Sequence, residues 1–293
     1  MRIFVTGASG WIGSALVPEL IGAGHQVLGL ARSDASANVV AGLGAEVRRG
    51  DLNDFDVLRA GALDSDGVIH LAFVVPSVSE AATRTDAKAI ETFASALAGT
   101  GKPLLISGGT LVTPGRPSTE RDELVAAGPI AARITNMQVA LATADRGIRS
   151  SLVMLPRSVH GEGDVRGFIP QLIAMARTKG VSGYVGDGAS RWPAVHVRDA
   201  ACLYRLAVEQ APAGAVLNAV GDEGVPIREI AEAIGRLLNL PARSQPAEEF
   251  GGMLGHILST DMPASSAITK ELLGWEPTCP GLIEDIEQGH YFV

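Results

Sequence analysis

The sequence predicts an α/β protein with a doubly wound parallel sheet and a smaller mixed α/β lobe towards the C-terminus. In the first half, short apolar runs with a β-branched bias alternate with stretches of helical spacing, which is typical of a parallel sheet. A glycine-rich joint connects the first run to the first helix. Beyond Pro156 glycines become frequent and the predicted elements become short and mixed, which indicates a change of architecture.

The first strand and helix meet at Thr6 and three glycines. Residues 2–5 form a short apolar run, which predicts a buried strand, and helical spacing returns from Trp11. The pattern GxxGxxG permits a tight turn, close approach of a pyrophosphate to the backbone and close helix packing. Amides at the start of a helix also favour phosphate charge. We therefore predict a dinucleotide site, rather than an ordinary βα turn, at Thr6, Gly7, Ser9, Gly10, Trp11, Ile12 and Gly13.

The end of the second predicted strand, residues 26–31, indicates which dinucleotide is bound. Folds that select NAD place an acid there to accept from the ribose 2′-hydroxyl. In this chain the strand ends on Ala31 and continues with Arg32 and Ser33, a guanidinium and a hydroxyl that suit a 2′-phosphate. NADP is therefore expected, with NAD as the alternative if Asp34 supplies the acid instead of serving as a turn residue.

The remaining elements of the first half follow in alternation. Asp51 and Leu52 follow the third strand, and Asp51 either caps the next helix or meets the adenine. The end of the fourth strand, Leu71 and Ala72, is small and apolar where the nicotinamide half would pass. We predict helices over 35–43, from 53, over 79–98 and over 130–146, strands over 45–48, 67–72, 103–107 and 148–155, and a loop over 111–128.

In the second half we predict helices over 168–179, 198–209 and 227–238 and strands over 194–197 and 215–220. The expected division is a dinucleotide-binding domain over 1–156 and mainly a substrate-binding lobe over 157–293, with some elements returning to the core.

Composition excludes several classes of protein. The chain has 293 residues, 46% hydrophobic content and a net charge of −8 with no lysine or arginine run, so nucleic acid is an unexpected partner. No apolar segment approaches the length of a membrane span, and the glycine motif begins too early for a cleaved signal peptide. Cys202 and Cys279 have no metal-like spacing and are too few for a disulfide framework. We expect a cytoplasmic protein without a metal.

The ordered set of motifs resembles the extended short-chain dehydrogenase/reductases, the NAD-dependent epimerase/dehydratase family. The stretch TGASGWIG at 6–13 is similar to the family's opening, and GDL at 50–52 and HLA at 70–72 match its next two turns. The loops 107–110, 119–120 and 155–161, the stretch 191–201 and LGWEP at 273–277 match in the same order. The resemblance covers nearly the whole chain and implies a hydride-transferring enzyme. By the same analogy a homodimer would use the helices near 80–98 and 130–146.

One hallmark of that family is missing. Its chemistry uses a tyrosine that moves the proton of the reacting group and a lysine four residues later. None of the three tyrosines has a lysine four residues on, and counting back from Gly147 puts Pro129 at the tyrosine position and Arg133 at the lysine position. Arg133 either binds the nicotinamide ribose, as the resemblance implies, or is a solvated helix arginine. We therefore expect an atypical active site.

Other groups then become candidates for the missing role. Ser107 and Thr110 lie in the family's serine-bearing loop, although loop hydroxyls commonly satisfy backbone groups instead. His160 and Tyr184 are alternative proton donors, each with a packing role as its alternative. The resemblance places Pro156 beside the cofactor. The predicted substrate-binding residues are Phe73, Arg191, for which a salt bridge is equally consistent, and Trp192, a pocket wall or a core residue.

Two functions fit these observations. The first is an NADP-dependent oxidoreductase acting on a small carbonyl, alcohol or imine by a non-standard proton donor. The second is a catalytically silent NADP-binding sensor or regulatory protein, which the missing tyrosine favours.

Overall fold

The computed structural model describes residues 1–73 and 79–292, and its centre is a seven-stranded parallel sheet. The strands are β1 (Arg2–Thr6), β2 (Gln26–Ala31), β3 (Glu46–Arg49), β4 (Gly67–His70), β5 (Pro103–Gly109), β6 (Arg149–Leu155) and β10 (Ala215–Asn218). Their order across the sheet is β10-β6-β5-β4-β1-β2-β3. Each neighbouring pair is parallel.

Helices cover both faces of this sheet. Side chains of β1 alternate between the faces: Ile3 and Val5 pack on one side, and Phe4 packs on the other. The first face carries α1 (Trp11–Gly22), α2 (Asp34–Gly42), α7 (Val197–Gln210) and α10 (Ala267–Leu273), and the second carries α3 (Phe55–Leu63), α4 (Glu80–Leu97) and α5 (Ala131–Ala142). This doubly wound arrangement confirms the predicted fold class.

The strand order reverses beside β1, which lies between β4 and β2. In sheets of this type ligands bind outside the carboxyl ends of the strands at such a switch point. The register of β1 and β4 aligns Thr6 with His70, so the glycine-rich turn and the end of β4 share this edge.

The remaining elements build a smaller lobe around a third apolar core, which contains Trp192. A three-stranded sheet has the order β11-β9-β7 and a two-stranded sheet pairs β12 with β8. The elements are β7 (Ser158–His160), α6 (Phe168–Lys179), β8 (Ser182–Val185), β9 (Arg191–His196), β11 (Asp222–Pro226), α8 (Ile227–Leu238), β12 (Ala242–Gln245), α9 (Gly252–Leu258) and α11 (Leu282–Glu287). From the later half of the chain, α7 packs on α1, and β10 extends the main sheet.

Several predicted boundaries need correction. The single helix expected over 130–146 is α5 flanked by 3₁₀ turns at Gly128–Ile130 and Thr143–Arg146. Residues 158–160 form a strand instead of a loop, because they pair with β9. The helices over 168–179 and 227–238 have the predicted bounds. Among the described residues, none of the helices combines the length and apolar character required to cross a membrane.

Gly13 gives a test of the packing between α1 and the glycine-rich turn. A Cβ at Gly13 would lie 2.2 Å from the carbonyl oxygen of Gly7, whereas at Gly22, in the same helix, nothing lies within 4 Å. We expect Gly13→Ala to lower the free energy of unfolding by at least about 2 kcal/mol, because the backbone must move. Gly22→Ala should raise it by up to about 1 kcal/mol. Urea denaturation measures both, and equal effects would contradict the tight contact.

Candidate functional site

The glycine-rich turn has a conformation that only small residues permit. Gly7 has a φ of +74°, and a Cβ there would lie 2.9 Å from the amide nitrogen of Ala72 at the end of β4. The amide of Gly10 donates to the carbonyl of Gly7 at 2.9 Å, which closes the turn. Gly13 is buried against it, whereas Ser9, Gly10, Trp11 and Ile12 keep exposed surface. The turn therefore brings exposed backbone to the sheet edge.

The N-terminus of α1 has no internal cap. Gly10 occupies the N-cap position without a side-chain hydrogen bond, and the first turn contains no acidic residue. The first amides of α1 are therefore available to an anionic ligand. The Trp11 side chain points elsewhere, since its Nε1 donates to the carbonyl oxygen of Val159 at 2.8 Å. These features fit the pyrophosphate of a dinucleotide, with Trp11 contributing its backbone.

Directly after β2, Arg32 is exposed and makes no ion pair with residues 1–73 or 79–292. Its neighbour Ser33 is the N-cap of α2, where its hydroxyl accepts from the amide of Ser36 at 3.2 Å. Asp34 lies 3.0 Å from Arg49, so this acid faces a cation of the protein. The arrangement leaves Arg32 as the cation available beside β2.

Asp51 is not the cap of the following helix, because Asp54 holds the N-cap position of α3. The Asp51 carboxylate instead accepts from the amide and the side chain of Asn53, at 3.0 and 2.8 Å. Leu52 packs partly against the core between the sheet and α4. The helix-cap alternative for Asp51 is therefore wrong.

A buried polar network lies behind the ends of β4 and β5. Oδ1 of Asp86 is 2.5 Å from Nη1 of Arg133 and 3.3 Å from Nε2 of His70. Oδ2 of the same carboxylate accepts from the side chain of Asn136 at 2.6 Å. Nδ1 of His70 is 2.6 Å from Oγ1 of Thr6. The network thus joins α4 and α5 to the residue that precedes the glycine-rich turn.

The network is electrostatically biased towards an ionised Asp86. Burial raises the pKa of this carboxyl, but the His70 hydrogen bond and the charge and hydrogen bond of Arg133 outweigh burial and lower the pKa to about 2, from 3.8. Arg133 is therefore not a solvated helix arginine. Its side chain is 15% exposed, its Nη2 donates to the Ser107 carbonyl oxygen at 2.5 Å, and its Cζ lies 4.2 Å from the centroid of the Phe73 ring.

The two loop hydroxyls differ in availability. Oγ of Ser107 donates to the carbonyl oxygen of His70 at 3.2 Å and lies 2.6 Å from the hydroxyl of Tyr204, which is completely buried on α7. Oγ1 of Thr110 is buried without a hydrogen-bond partner in the described part of the chain. The amide of Thr110 donates to the carbonyl oxygen of Leu155 at 2.9 Å, which places Thr110 beside the end of β6. Of these two hydroxyls, only that of Thr110 has hydrogen-bonding capacity that the described chain leaves unused.

The structure does not bring His160 and Tyr184 to this network. His160 is 1% exposed, and its Nδ1 lies 2.9 Å from Oδ2 of Asp285 on α11. Tyr184 is buried in the core of the C-terminal lobe, where its hydroxyl accepts from Arg228 at 3.1 Å. His160 and Tyr184 therefore pack within the C-terminal lobe, which was the alternative to a role as proton donor.

Of the three predicted substrate-binding residues, Arg191 and Trp192 are engaged within the protein, and only Phe73 contacts the buried network. Arg191 is paired with Asp261: its Nε and Nη2 lie 3.0 and 2.8 Å from the two carboxylate oxygens, and its amide also donates to that carboxylate. Trp192 is completely buried, so it is a core residue and not a pocket wall. Phe73 lies in the site, stacked on Arg133.

The residues predicted to border the cofactor at the ends of β4 and β6 lie at the same edge of the sheet. The amides of Leu71 and Ala72 donate to the carbonyl oxygen and to Oγ1 of Thr6, at 3.2 and 3.3 Å. Pro156 is buried directly after β6. These contacts fix the chain that borders the expected nicotinamide half.

Sequence reasoning missed His70, Asp86, Asn136 and Tyr204 as members of the site. The sequence pattern could have identified Asp86, because it lies on the buried face of α4 at helical spacing with Ala82 and Ala89. An acid within an apolar stripe needs a buried partner. Tyr204 left no comparable signal, because its partner is 97 residues away in the chain.

A doubly wound parallel sheet with a glycine-rich turn at its switch point defines a Rossmann-type protein. The chain belongs to the NAD dependent epimerase/dehydratase family, whose model matches residues 3–219. An uncharacterized protein of Schizosaccharomyces pombe is 44% identical over 298 residues, which cover 100% of both chains. The 4-hydroxy-2-methyl-3-oxo-4-farnesyl-3,4-dihydroquinoline-1-oxide ketoreductase of Stigmatella aurantiaca is 30% identical over 226 residues, 74% of this chain and 67% of the relative.

A solved structure shares the fold across the chain. The dTDP-glucose 4,6-dehydratase of Streptomyces venezuelae, solved with NAD bound, has a TM-score of 0.79 and is 20% identical, covering 99% of this chain and 96% of that one. The fold class and the family resemblance predicted from the sequence are thereby confirmed.

Asp86→Asn tests the buried network. At neutral pH the variant leaves Arg133 without its charge partner, so we expect a loss of about 3 to 5 kcal/mol in the free energy of unfolding. The folded pKa of Asp86 is below its ordinary value, so the stability from this carboxylate is present above pH 4 and is lost as the pH falls towards 2. The difference in free energy of unfolding between wild type and Asp86→Asn should therefore narrow by about 2 kcal/mol as the pH falls from 4 towards 2.

Denaturant unfolding at several pH values measures this gap. Glu91→Gln is the control, because Glu91 lies on the exposed face of α4 and pairs with Arg146 at the surface. Glu91→Gln should lower the free energy of unfolding by less than about 1 kcal/mol. A constant gap between wild type and Asp86→Asn across the acid window would contradict the assigned ion pair.

Proposed function

We propose that the protein is an NADP-dependent oxidoreductase that reduces a small carbonyl or imine, or oxidises the corresponding alcohol or amine. The observations that carry this proposal are a fixed cation, Arg133, held against the Ser107 carbonyl at the end of β5, and the buried, unpartnered hydroxyl of Thr110 directly after the same strand. When bound, the nicotinamide supplies or accepts the hydride at its C4 atom. The family membership and the ketoreductase among the relatives support this class of reaction.

The preference for NADP rests on Arg32. A phosphate on the 2′-oxygen needs a cation at the end of β2, and Arg32 is exposed there without an ion pair in the described chain. Ser33 would add a polar contact to the same phosphate. The other residues proposed to hold the dinucleotide are Thr6, Gly7, Ser9, Gly10, Trp11, Ile12, Gly13, Asp51, Leu52, Leu71, Ala72, Arg133 and Pro156.

Arg133 would hold the nicotinamide ribose and contribute positive charge, but it cannot be the acid. A guanidinium stays ionised in proteins, so it has no proton to exchange near neutral pH. Asp86, the Ser107 carbonyl and the Phe73 ring already fix its position. Arg133 therefore supplies a preorganised charge at the site and no proton.

Thr110 would donate a hydrogen bond to the substrate oxygen or nitrogen. During reduction a hydride adds to the carbon and a proton adds to the oxygen or nitrogen. A threonine hydroxyl is a weak acid, so water at the site would supply the proton while Thr110 orients the reacting group. Epimerisation or dehydration fits less well, because both require a base that removes a substrate proton.

The alternative function is a catalytically silent NADP-binding sensor or regulatory protein. It would use the same cofactor site, and the engagement of Arg133 by Asp86 and Ser107 is compatible with it. A homodimer through α4 and α5 would suit either function, since α5 presents Val139, 46% exposed, on its outer side.

Arg32→Ala tests the choice of cofactor. Loss of a charge-assisted contact to the 2′-phosphate should weaken NADPH binding by about tenfold or more, while NADH binding changes little. Fluorescence titration of the reduced cofactors measures both affinities. Arg59→Ala, at an exposed arginine on α3, is the charge-matched control and should change neither. Wild-type protein that binds NADH as tightly as NADPH would contradict the proposed preference.

Thr110→Val tests the role of the hydroxyl. The variant keeps the shape of the side chain but removes the donor, so we expect kcat/KM to fall roughly 100-fold with NADPH affinity unchanged. Thr110→Ser should recover most of the rate. Oxidation of NADPH with a panel of aldehydes, ketones and imines measures turnover, and Thr135→Val, on the exposed side of α5, is the control.

The outcomes separate the two functions. Full activity in Thr110→Val would exclude the assigned role of Thr110 but leave the reaction class intact. NADPH binding without turnover of any compound in the panel would instead favour the silent NADP-binding protein.

A further inference from the structure

Arg157 has surroundings that differ from those of the other arginines of the site. It follows Pro156 directly after β6, at the edge where ligands of this fold bind. Its Nε and Nη2 lie 3.3 and 3.1 Å from Sδ of Met262, and its Cζ lies 5.6 Å from the centroid of the Phe168 ring. A thioether is a weak acceptor, and an aromatic ring gives only a cation–π contact.

No carboxylate lies within ion-pair distance of Arg157 in the described residues. The side chain is only partly exposed, and its burial lowers the pKa of Arg157. Withdrawing a guanidinium from water without a charge partner is unfavourable, so such groups are normally paired or bind a ligand.

Arg191 shows the contrast within the same region. Asp261 neutralises it through both carboxylate oxygens, and the amide of Met262, the next residue, donates to the Arg191 carbonyl oxygen at 3.1 Å. Met262 therefore separates an arginine with a carboxylate from an arginine without one. The positive charge left for a ligand at this place is that of Arg157.

Arg157 follows the strand end to which Thr110 is hydrogen-bonded. The Thr110 amide is hydrogen-bonded to the carbonyl of Leu155, two residues before Arg157. The unpartnered Thr110 hydroxyl and the unpaired guanidinium thus stand at the carboxyl ends of the adjacent strands β5 and β6. A substrate that spanned these two strand ends would place its reacting carbonyl at Thr110 and an anionic group at Arg157.

We propose that Arg157 binds a carboxylate of the substrate, so that the substrate is an oxo acid or the corresponding hydroxy acid. This inference rests on the proposed function. A carboxylate matches the planar fork of one guanidinium and its single charge. A nucleoside diphosphate would bring at least two negative charges and would need a second cation, but Arg191 is already neutralised by Asp261. Met262 and Phe168 give the Arg157 side chain an apolar border, which suits a small organic acid.

Matched substrates test this assignment. We would compare benzoylformate with its methyl ester, since they differ mainly in charge, by NADPH oxidation. Wild type should prefer the acid by roughly 10- to 100-fold in kcat/KM, the range expected for a charged hydrogen-bonded pair. Arg157→Met should remove this preference mainly by raising KM, and Arg157→Lys should retain part of it.

Two controls keep the result specific. Arg191→Met removes the same charge next to Met262 and should leave the preference for the acid unchanged. NADPH affinity of Arg157→Met should stay within about twofold of wild type, because the site is proposed for the substrate and not for the cofactor. Equal turnover of acid and ester by wild type, or an undiminished preference in Arg157→Met, would overturn the proposal.

A binding measurement separates this proposal from the proposed function. Benzoate, compared with benzamide, should raise the Tm of wild type and of Arg157→Lys but not that of Arg157→Met, with or without NADPH. No turnover together with an Arg157-dependent benzoate shift would contradict the oxidoreductase and support the carboxylate site. Turnover without a benzoate-induced rise in Tm and without a preference for the acid would support the oxidoreductase and contradict the carboxylate site.

Discussion

Three side chains surround the buried carboxylate of Asp86 on α4. His70 at the end of β4 meets one oxygen together with Arg133 of α5, and Asn136 of α5 meets the other. A buried charge of this kind is tolerated only when its partners are well placed, because desolvation opposes it. The position of α5 against the sheet, and therefore the position of the guanidinium at the site, depends on this interaction.

The consequence for chemistry follows from the identity of the cation. An ammonium four residues after a tyrosine assists a phenol that exchanges protons, whereas a guanidinium after Pro129 has no such partner on the helix. Since Arg133 is fixed by Asp86, Ser107 and Phe73, it offers charge and geometry alone. In the proposed mechanism a group outside α5 must orient the reacting oxygen. Thr110, directly after β5, is the candidate, because its buried hydroxyl has no hydrogen-bond partner in the described chain.

Local features of the sequence predicted the fold well. The glycine spacing, the alternation of apolar runs with helical stretches and the change beyond Pro156 each depend on neighbours in the chain, and the main sheet and most of its helices follow from them. The strand at 158–160 was missed because its identity depends on pairing with β9, more than 30 residues later. The helix-cap alternative for Asp51 was wrong by three residues: Asp54 is the N-cap of α3, and both positions carry an acid.

The chemistry of the site was less accessible to sequence reasoning, because the partner of each charge is distant. Asp285 meets Nδ1 of His160 from 125 residues away, and Asp261 neutralises Arg191 from 70 residues away. A motif shows which residue types are present, but not whether another part of the chain already satisfies them. Function at this edge follows from what remains unsatisfied. A carboxylate pairs with Arg191 and another with Nδ1 of His160, which is buried in the C-terminal lobe, whereas Arg32, Arg157 and the Thr110 hydroxyl have no charge or hydrogen-bond partner of that kind in the described protein. Under the proposed function and substrate, Arg32, Arg157 and Thr110 would meet a phosphate, a carboxylate and a carbonyl oxygen, which are polar groups of a phosphorylated dinucleotide and an oxo acid.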